Sequence, residues 1–191
     1  MYSFAQRPDT IVLDEPFYAV YLSRTLAEHP GKDEVLRAQS CDEKVVLSEI
    51  FCEQPKPVLF VKNMAHHIEV LDKAFLKKVI NVFLIRNPVH IIASYAEVIR
   101  EPVMRDIGIQ YQHQLFAQLQ DEGDVPVIID SGRVLEDPPS VIAQLCARIG
   151  IDYTDAMLHW PAGPKPYDGV WAPYWYENVH RSTCFEKQPT S

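Results

Sequence analysis

NVFLIRNPVHIIASY, residues 81–95, is the stretch on which the fold turns. Its apolar run, residues 82–85, has the length and composition of a buried parallel strand. Arg86 follows directly and so falls at the C-terminal end of that strand. Asn87 is placed as a helix N-cap, because its short side chain can accept a hydrogen bond from an early backbone N–H of the next helix. Pro88 suits the first helical position, where its missing N–H is not needed and its φ is already helical. Ser94 comes about two turns later, on the same side of the helix as Asn87. A guanidinium at a strand end, beside a helix N-terminus and near a hydroxyl, is a site for an anion.

The same alternation extends outward in both directions. Apolar runs at 10–14 (TIVLD), 57–62 (PVLFVK) and 125–130 (VPVIID) read as further strands. Helices are expected over 17–27, 33–39, 44–51, 70–79, 88–99, 104–119 and 139–149, the last ended by Gly150 as a C-cap. Over 70–79 the apolar face is Leu71, Phe75 and Val79. Residues 167–191, rich in Trp, Tyr and Pro, read as irregular. Strands alternating with helices imply an α/β fold: three αβα layers around a mostly parallel sheet, in a single domain over 1–191. Such a sheet binds ligands beyond the C-terminal ends of its strands. Those ends are Asp14-Glu15, Lys62-Asn63, Arg86-Asn87 and Asp130-Ser131, and they are expected to converge on one edge.

Composition narrows the function. At 191 residues with 47% hydrophobic and 10% aromatic content, the chain can bury a sizeable core. A net charge of −8 disfavours a nucleic-acid partner, since no domain-wide basic field exists to displace counterions. A few placed basic residues still suffice for a small anion. Four cysteines without a CxxC pair give no zinc spacing and read as reduced thiols of a cytoplasmic protein. No apolar stretch approaches a membrane span, and the start, MYSFAQRPD, has no signal-peptide core. No metal, membrane or nucleic-acid role is expected, and oligomeric state is not legible.

Several segments, taken in order, resemble the sulfotransferase family, whose fold is related to P-loop kinases (P-loop NTPase-like). Residues 81–95 resemble its strand and helix for the 3′-phosphate of the sulfuryl donor, 3′-phosphoadenosine 5′-phosphosulfate (PAPS). LDEPFYAVYL (13–22) and FVKNMAHHI (60–68) resemble a strand end and a strand-loop of a bacterial and fungal branch. DSGRVLEDPPSVIAQLCARIGI (130–151) resembles the family's strand, acidic turn and helix. GVWAPYWYENVHRSTCF (169–185) resembles the branch's C-terminal loop, which helps close over the nucleotide.

The resemblance implies transfer of a sulfuryl group from PAPS to a hydroxyl of a small-molecule acceptor, with no metal. Arg86 and Ser94 would bind the 3′-phosphate, and Arg181, Ser182 and Thr183 would add donors. Lys62 would reach the bridging or sulfuryl oxygens. In-line transfer also needs a base for the acceptor hydroxyl, for which Glu15, His66 and His67 are alternatives. Trp171, Tyr174, Trp175 and Tyr176 would stack on adenine, line an acceptor pocket or form core.

Two departures qualify this. The family's first strand and phosphate-binding loop have no counterpart in the first forty residues. An N-terminally truncated fold is therefore expected, with unpaired strand edges and lower stability than an upstream-extended form. Cys184 stands where relatives carry glycine. The alternatives are a non-catalytic nucleotide-binding or interaction module of the same fold and, with no Walker-type loop, a small-molecule kinase.

Overall fold

The computed structural model describes residues 1–96 and 104–186. Its strands are β1 (Thr10–Asp14), β2 (Val58–Lys62), β3 (Val82–Ile85) and β4 (Val127–Asp130). Its helices are α1 (Tyr2–Ala5), α2 (Tyr18–Arg24), α3 (Lys32–Ala38), α4 (Glu43–Phe51), α5 (Ala65–Ile68) and α6 (Pro88–Ala96). They continue with α7 (Met104–Ile107), α8 (Ile109–Asp121), α9 (Ser131–Glu136), α10 (Pro138–Ile149), α11 (Ala172–Trp175) and α12 (Glu177–Arg181). The chain forms two compact units, Met1–Leu71 with Pro161–Ser182 and Asp72–Trp160 with Thr183–Ser191.

In the first unit β1 and β2 pair in parallel, with Asp14 opposite Lys62. Thr10, Val12 and Asp14 alternate into the interior, the two-residue period of a half-buried strand. Helix α2 has seven residues, too few to be stable alone. Packing holds it instead: Tyr18, Ala19, Tyr21 and Leu22 join Val35, Trp171, Ala172 and Tyr176 in one buried cluster. The aromatic stretch expected to be irregular therefore contains two short helices, α11 and α12, and supplies core.

In the second unit β3 and β4 pair in parallel, Ile85 opposite Asp130. The expected strand over 82–85 is present, but only Phe83 is buried; Val82, Leu84 and Ile85 are exposed. The reason is that β3 has one strand neighbour among the described residues, so its other edge and part of both faces stay open. Among the described residues β1 pairs with β2 in the first unit and β3 with β4 in the second. Helix α10 begins at Asp137, whose side chain accepts from the Ser140 N–H, and ends at Gly150 with φ 74°. That left-handed conformation suits glycine, as expected from the sequence.

Two helices differ from expectation. Residues 70–79 hold a 3-10 turn, Lys73–Lys78, because Asp72 caps a new turn through the Ala74 N–H and the boundary between units falls at Leu71. The helix expected over 104–119 breaks into α7 and α8 at Gly108, φ 70°. Residues 97–99 of the helix expected over 88–99 lie outside the described residues.

Candidate functional site

In the first unit three charged groups, Asp14, Glu15 and Lys62, meet at the paired ends of β1 and β2. The chain turns sharply after Asp14: Glu15 has φ 41°, the only positive φ among the described non-glycine residues. For an L-residue the left-handed region costs roughly 1–2 kcal/mol. Three hydrogen bonds hold it there. The Glu15 N–H donates to the Lys62 carbonyl at 2.7 Å, and its own carbonyl accepts from the Tyr18 N–H at 3.0 Å and Gln39 Nε2 at 3.1 Å. Neighbouring side chains on a strand point to opposite faces. The turn redirects Glu15 so that both carboxylates meet Lys62.

Lys62 Nζ donates to Glu15 Oε1 and, at 2.8 Å, to the Tyr176 hydroxyl; Asp14 Oδ1 is 3.4 Å away. Tyr176 in turn donates to the Asp14 carboxylate at 2.8 Å, and the Gly169 N–H donates to Asp14 Oδ2 at 3.2 Å. Burial pushes the Glu15 carboxyl up, against the pull of Lys62 and with the push of Asp14. Burial acts against the Lys62 charge, but the attraction of Glu15 and Asp14 outweighs it, and Lys62 is held protonated. Its side chain is 28% exposed, whereas those of Asp14 and Glu15 are 1% and 7% exposed. The cluster therefore offers one open cation backed by a carboxylate whose proton affinity is raised. The Lys62 N–H that meets Asp14 only at 3.4 Å is the one left to turn toward an anionic oxygen, and Glu15 can accept a proton beside it.

His66 and His67 sit on α5, a helical turn not anticipated from the sequence, and both are 1% exposed. His67 stacks on Tyr18 with ring centroids 4.5 Å apart, and its Nδ1 lies 3.7 Å from Glu15 Oε2 without a hydrogen-bond partner. Burial, then the neighbouring His66, Lys62 and His29, hold its ring neutral, well below the usual imidazole range. His66 packs edge-on to Tyr21 and His67. Of the three alternatives for a base, Glu15 pairs directly with Lys62.

In the second unit the Asn87 cap is present: its Oδ1 accepts from the Val89 N–H at 3.0 Å. Arg86 and Ser94 are both exposed, at the end of β3 and on α6. The C-terminal trio is divided. Arg181 pairs with Glu177, and the Ser182 hydroxyl donates to the Val179 carbonyl at 2.7 Å, both in the first unit. Thr183 belongs to the second unit, where its carbonyl accepts from the Trp160 N–H at 2.9 Å. Cys184 forms an antiparallel bridge with His159 and has no positive φ, so the backbone at this position does not require glycine.

Sequence reasoning placed Asp14 at a strand end but gave it no role, and it left Tyr176 among undifferentiated aromatics. The partnership of the two spans 162 positions. Only the alternation that puts Asp14 inward was readable locally. Among the described residues no group of three or more His, Cys, Asp or Glu side chains is arranged to hold a metal ion. No described helix is long and apolar enough to cross a membrane.

Parallel strand pairs with charged C-terminal ends, an N-capped helix after β3 and the acidic turn before α10 define an α/β protein of the kind the sequence resembled. The sulfotransferase domain family matches residues 1–190, and this chain belongs to that family. It is 39% identical over 187 residues to branched-chain-amino-acid aminotransferase-like protein 2 of Arabidopsis thaliana and 38% identical to the corresponding protein 1. These alignments cover 97% of this chain but 33% and 34% of those relatives, so the chain spans about a third of their length. A sulfotransferase from Alicyclobacillus acidocaldarius shares the fold, with a TM-score of 0.55, 15% identity, and 95% of this chain and 90% of that one covered.

Proposed function

We propose that this chain is a cytoplasmic sulfuryl-transfer domain that uses PAPS as donor and a hydroxyl of a small molecule as acceptor. The observation that carries the reading is the joining of Lys62 and Glu15 at the ends of β1 and β2. Lys62 supplies positive charge to the oxygens of the transferring group, where charge builds in the transition state. Glu15 takes the acceptor's proton, aided by its raised proton affinity. His67 backs Glu15 as a neutral ring, and His66 packs behind both. Arg86, after β3, and Ser94, in the last turn of α6, are assigned to the 3′-phosphate, and Arg181, Ser182 and Thr183 are assigned as further donors. Family membership and the four free thiols support the activity and the reducing compartment respectively.

The relatives' aminotransferase-like names do not lead to this cluster. Those names belong to proteins of which this chain spans about a third, and they assign it no activity.

The test is thermal denaturation of the chain with adenosine 3′,5′-bisphosphate, with ATP in parallel. A ligand at a hundred times its dissociation constant stabilises by about 2.7 kcal/mol. For a chain of this length that corresponds to a rise in melting temperature of roughly 5–10 °C. The bisphosphate should produce it, ATP should not, and Arg86→Ala should abolish it. No shift with the bisphosphate would overturn the donor assignment and leave a module that does not bind the nucleotide.

A further inference from the structure

The three protons of Lys62 face three oxygens of unequal kind. One is on Glu15, one is the Tyr176 hydroxyl at 2.8 Å, and one is Asp14 Oδ1 at a looser 3.4 Å. Tyr176 carries a single proton, and Asp14 takes it at 2.8 Å. The phenol oxygen therefore turns its lone pairs toward Lys62. The result is a directional chain in which Lys62 donates to Tyr176 and Tyr176 donates to Asp14. Without the phenol, Asp14 and Glu15 would compete directly for one ammonium, and the nearer approach of Asp14 would draw Lys62 away from Glu15.

Tyr176 is brought in by a segment remote in sequence. Its neighbours are tied to Asp14 and to helices α1, α2 and α12. The Gly169 N–H bonds Asp14, and Asp168 accepts from Tyr2 at 2.7 Å and contacts His180 Nε2 at 3.0 Å. Trp171, 2% exposed, packs edge-on to Tyr18 at 5.2 Å.

We propose that Asp14 and Tyr176 are positioning residues that hold the Lys62 ammonium against Glu15. The importance of this positioning rests on the reading of Lys62 and Glu15 above; the clamp itself does not. Among the described residues, the charged or titratable groups around Lys62 and Glu15 are Asp14, Tyr176, His67 from α5 and the Met1 amine that precedes α1.

The experiment is competitive acetylation of the intact chain with acetic anhydride over a pH series, read lysine by lysine by peptide mass spectrometry. It needs neither donor nor acceptor. In the wild type Lys62 should react at least tenfold more slowly than Lys77, which is exposed. Tyr176→Phe keeps the ring and its packing but loses the oxygen. It should speed Lys62 labelling threefold or more and lower the pH at which Lys62 begins to react, with Lys77 unchanged. Asp14→Asn keeps the shape, removes the charge, and should shift Lys62 in the same direction. Should one variant unfold and label uniformly, the other decides. Wild-type labelling of Lys62 in a folded Tyr176→Phe or Asp14→Asn variant overturns the proposal. A failure to bind adenosine 3′,5′-bisphosphate overturns the sulfuryl-transfer reading and leaves the labelling result intact, so the two are separable.

Discussion

Acidification is expected to destabilise the first unit through His67, and the size of the effect follows from its burial. The ring has an ordinary value of 6.5 and is held well below it in the folded chain by burial, then by His66, Lys62 and His29. Below pH 6.5 the unfolded chain therefore binds a proton that the folded chain refuses. Stability contributed by the neutral ring is complete above that value and is lost as pH falls. For one such group, moving from pH 7 to pH 5 removes about 2 kcal/mol. Glu15 works in the opposite sense. Its raised affinity lets the folded chain keep a proton the unfolded chain releases, so its penalty on folding shrinks as pH falls toward the ordinary carboxylate value of 4.5. The wild-type pH dependence is thus a difference of two opposed effects. Comparison with His67→Phe isolates the histidine, because Phe keeps a ring against Tyr18 and leaves Glu15 in place. Melting temperature should fall between pH 7 and pH 5 by about 4–8 °C more in the wild type than in His67→Phe. Circular dichroism melts at matched ionic strength measure it. Parallel curves for the two proteins would refute the claim that His67 is folded in its neutral form.

Two further substitutions test the packing and the strain around the cluster. A Cβ on Gly169 would come within 2.1 Å of the Trp171 ring, which is 2% exposed and has little room to yield. Gly169→Ala should therefore cost about 1–3 kcal/mol by overpacking, seen as a lower denaturant midpoint. Glu15→Gly removes the left-handed strain, worth roughly 1–2 kcal/mol. It also removes the buried partner of Lys62, a loss of about 3–5 kcal/mol for a buried pair that Asp14 and Tyr176 reduce by keeping the ammonium engaged. Stability should fall by about 1–4 kcal/mol with the chain still folded, while the proposed transfer falls at least about a hundredfold. A loss of folding without a specific loss of turnover would assign Glu15 a structural role.

Local pattern carried much of the fold. Strands β1 and β3 coincide with the apolar runs TIVLD and VFLI, because each run is bounded by residues that stop a strand. Asn87 and Gly150 act as the caps expected of them, since capping depends only on the chain within a turn of each residue. Residues 70–79 failed because helical spacing of Leu71, Phe75 and Val79 is visible locally, whereas a unit boundary at Leu71 is not. The sequence offers His66 and His67 as alternatives for the base and does not show what surrounds them. Their burial among Tyr18 and Tyr21 arises from contacts more than forty positions away in sequence.

The sequence by itself determined the α/β class, the family, the order of the strands and the charged residues at their ends. These follow from short-range periodicity, capping and motif order. Tertiary structure alone decided which of those charges meet. A single left-handed turn at Glu15 swings its carboxylate onto Lys62, and a tyrosine 162 positions from Asp14 sets the geometry between them. Neither is encoded in local pattern, because both exist only when burial and long-range hydrogen bonds offset the strain and the desolvation of the charges.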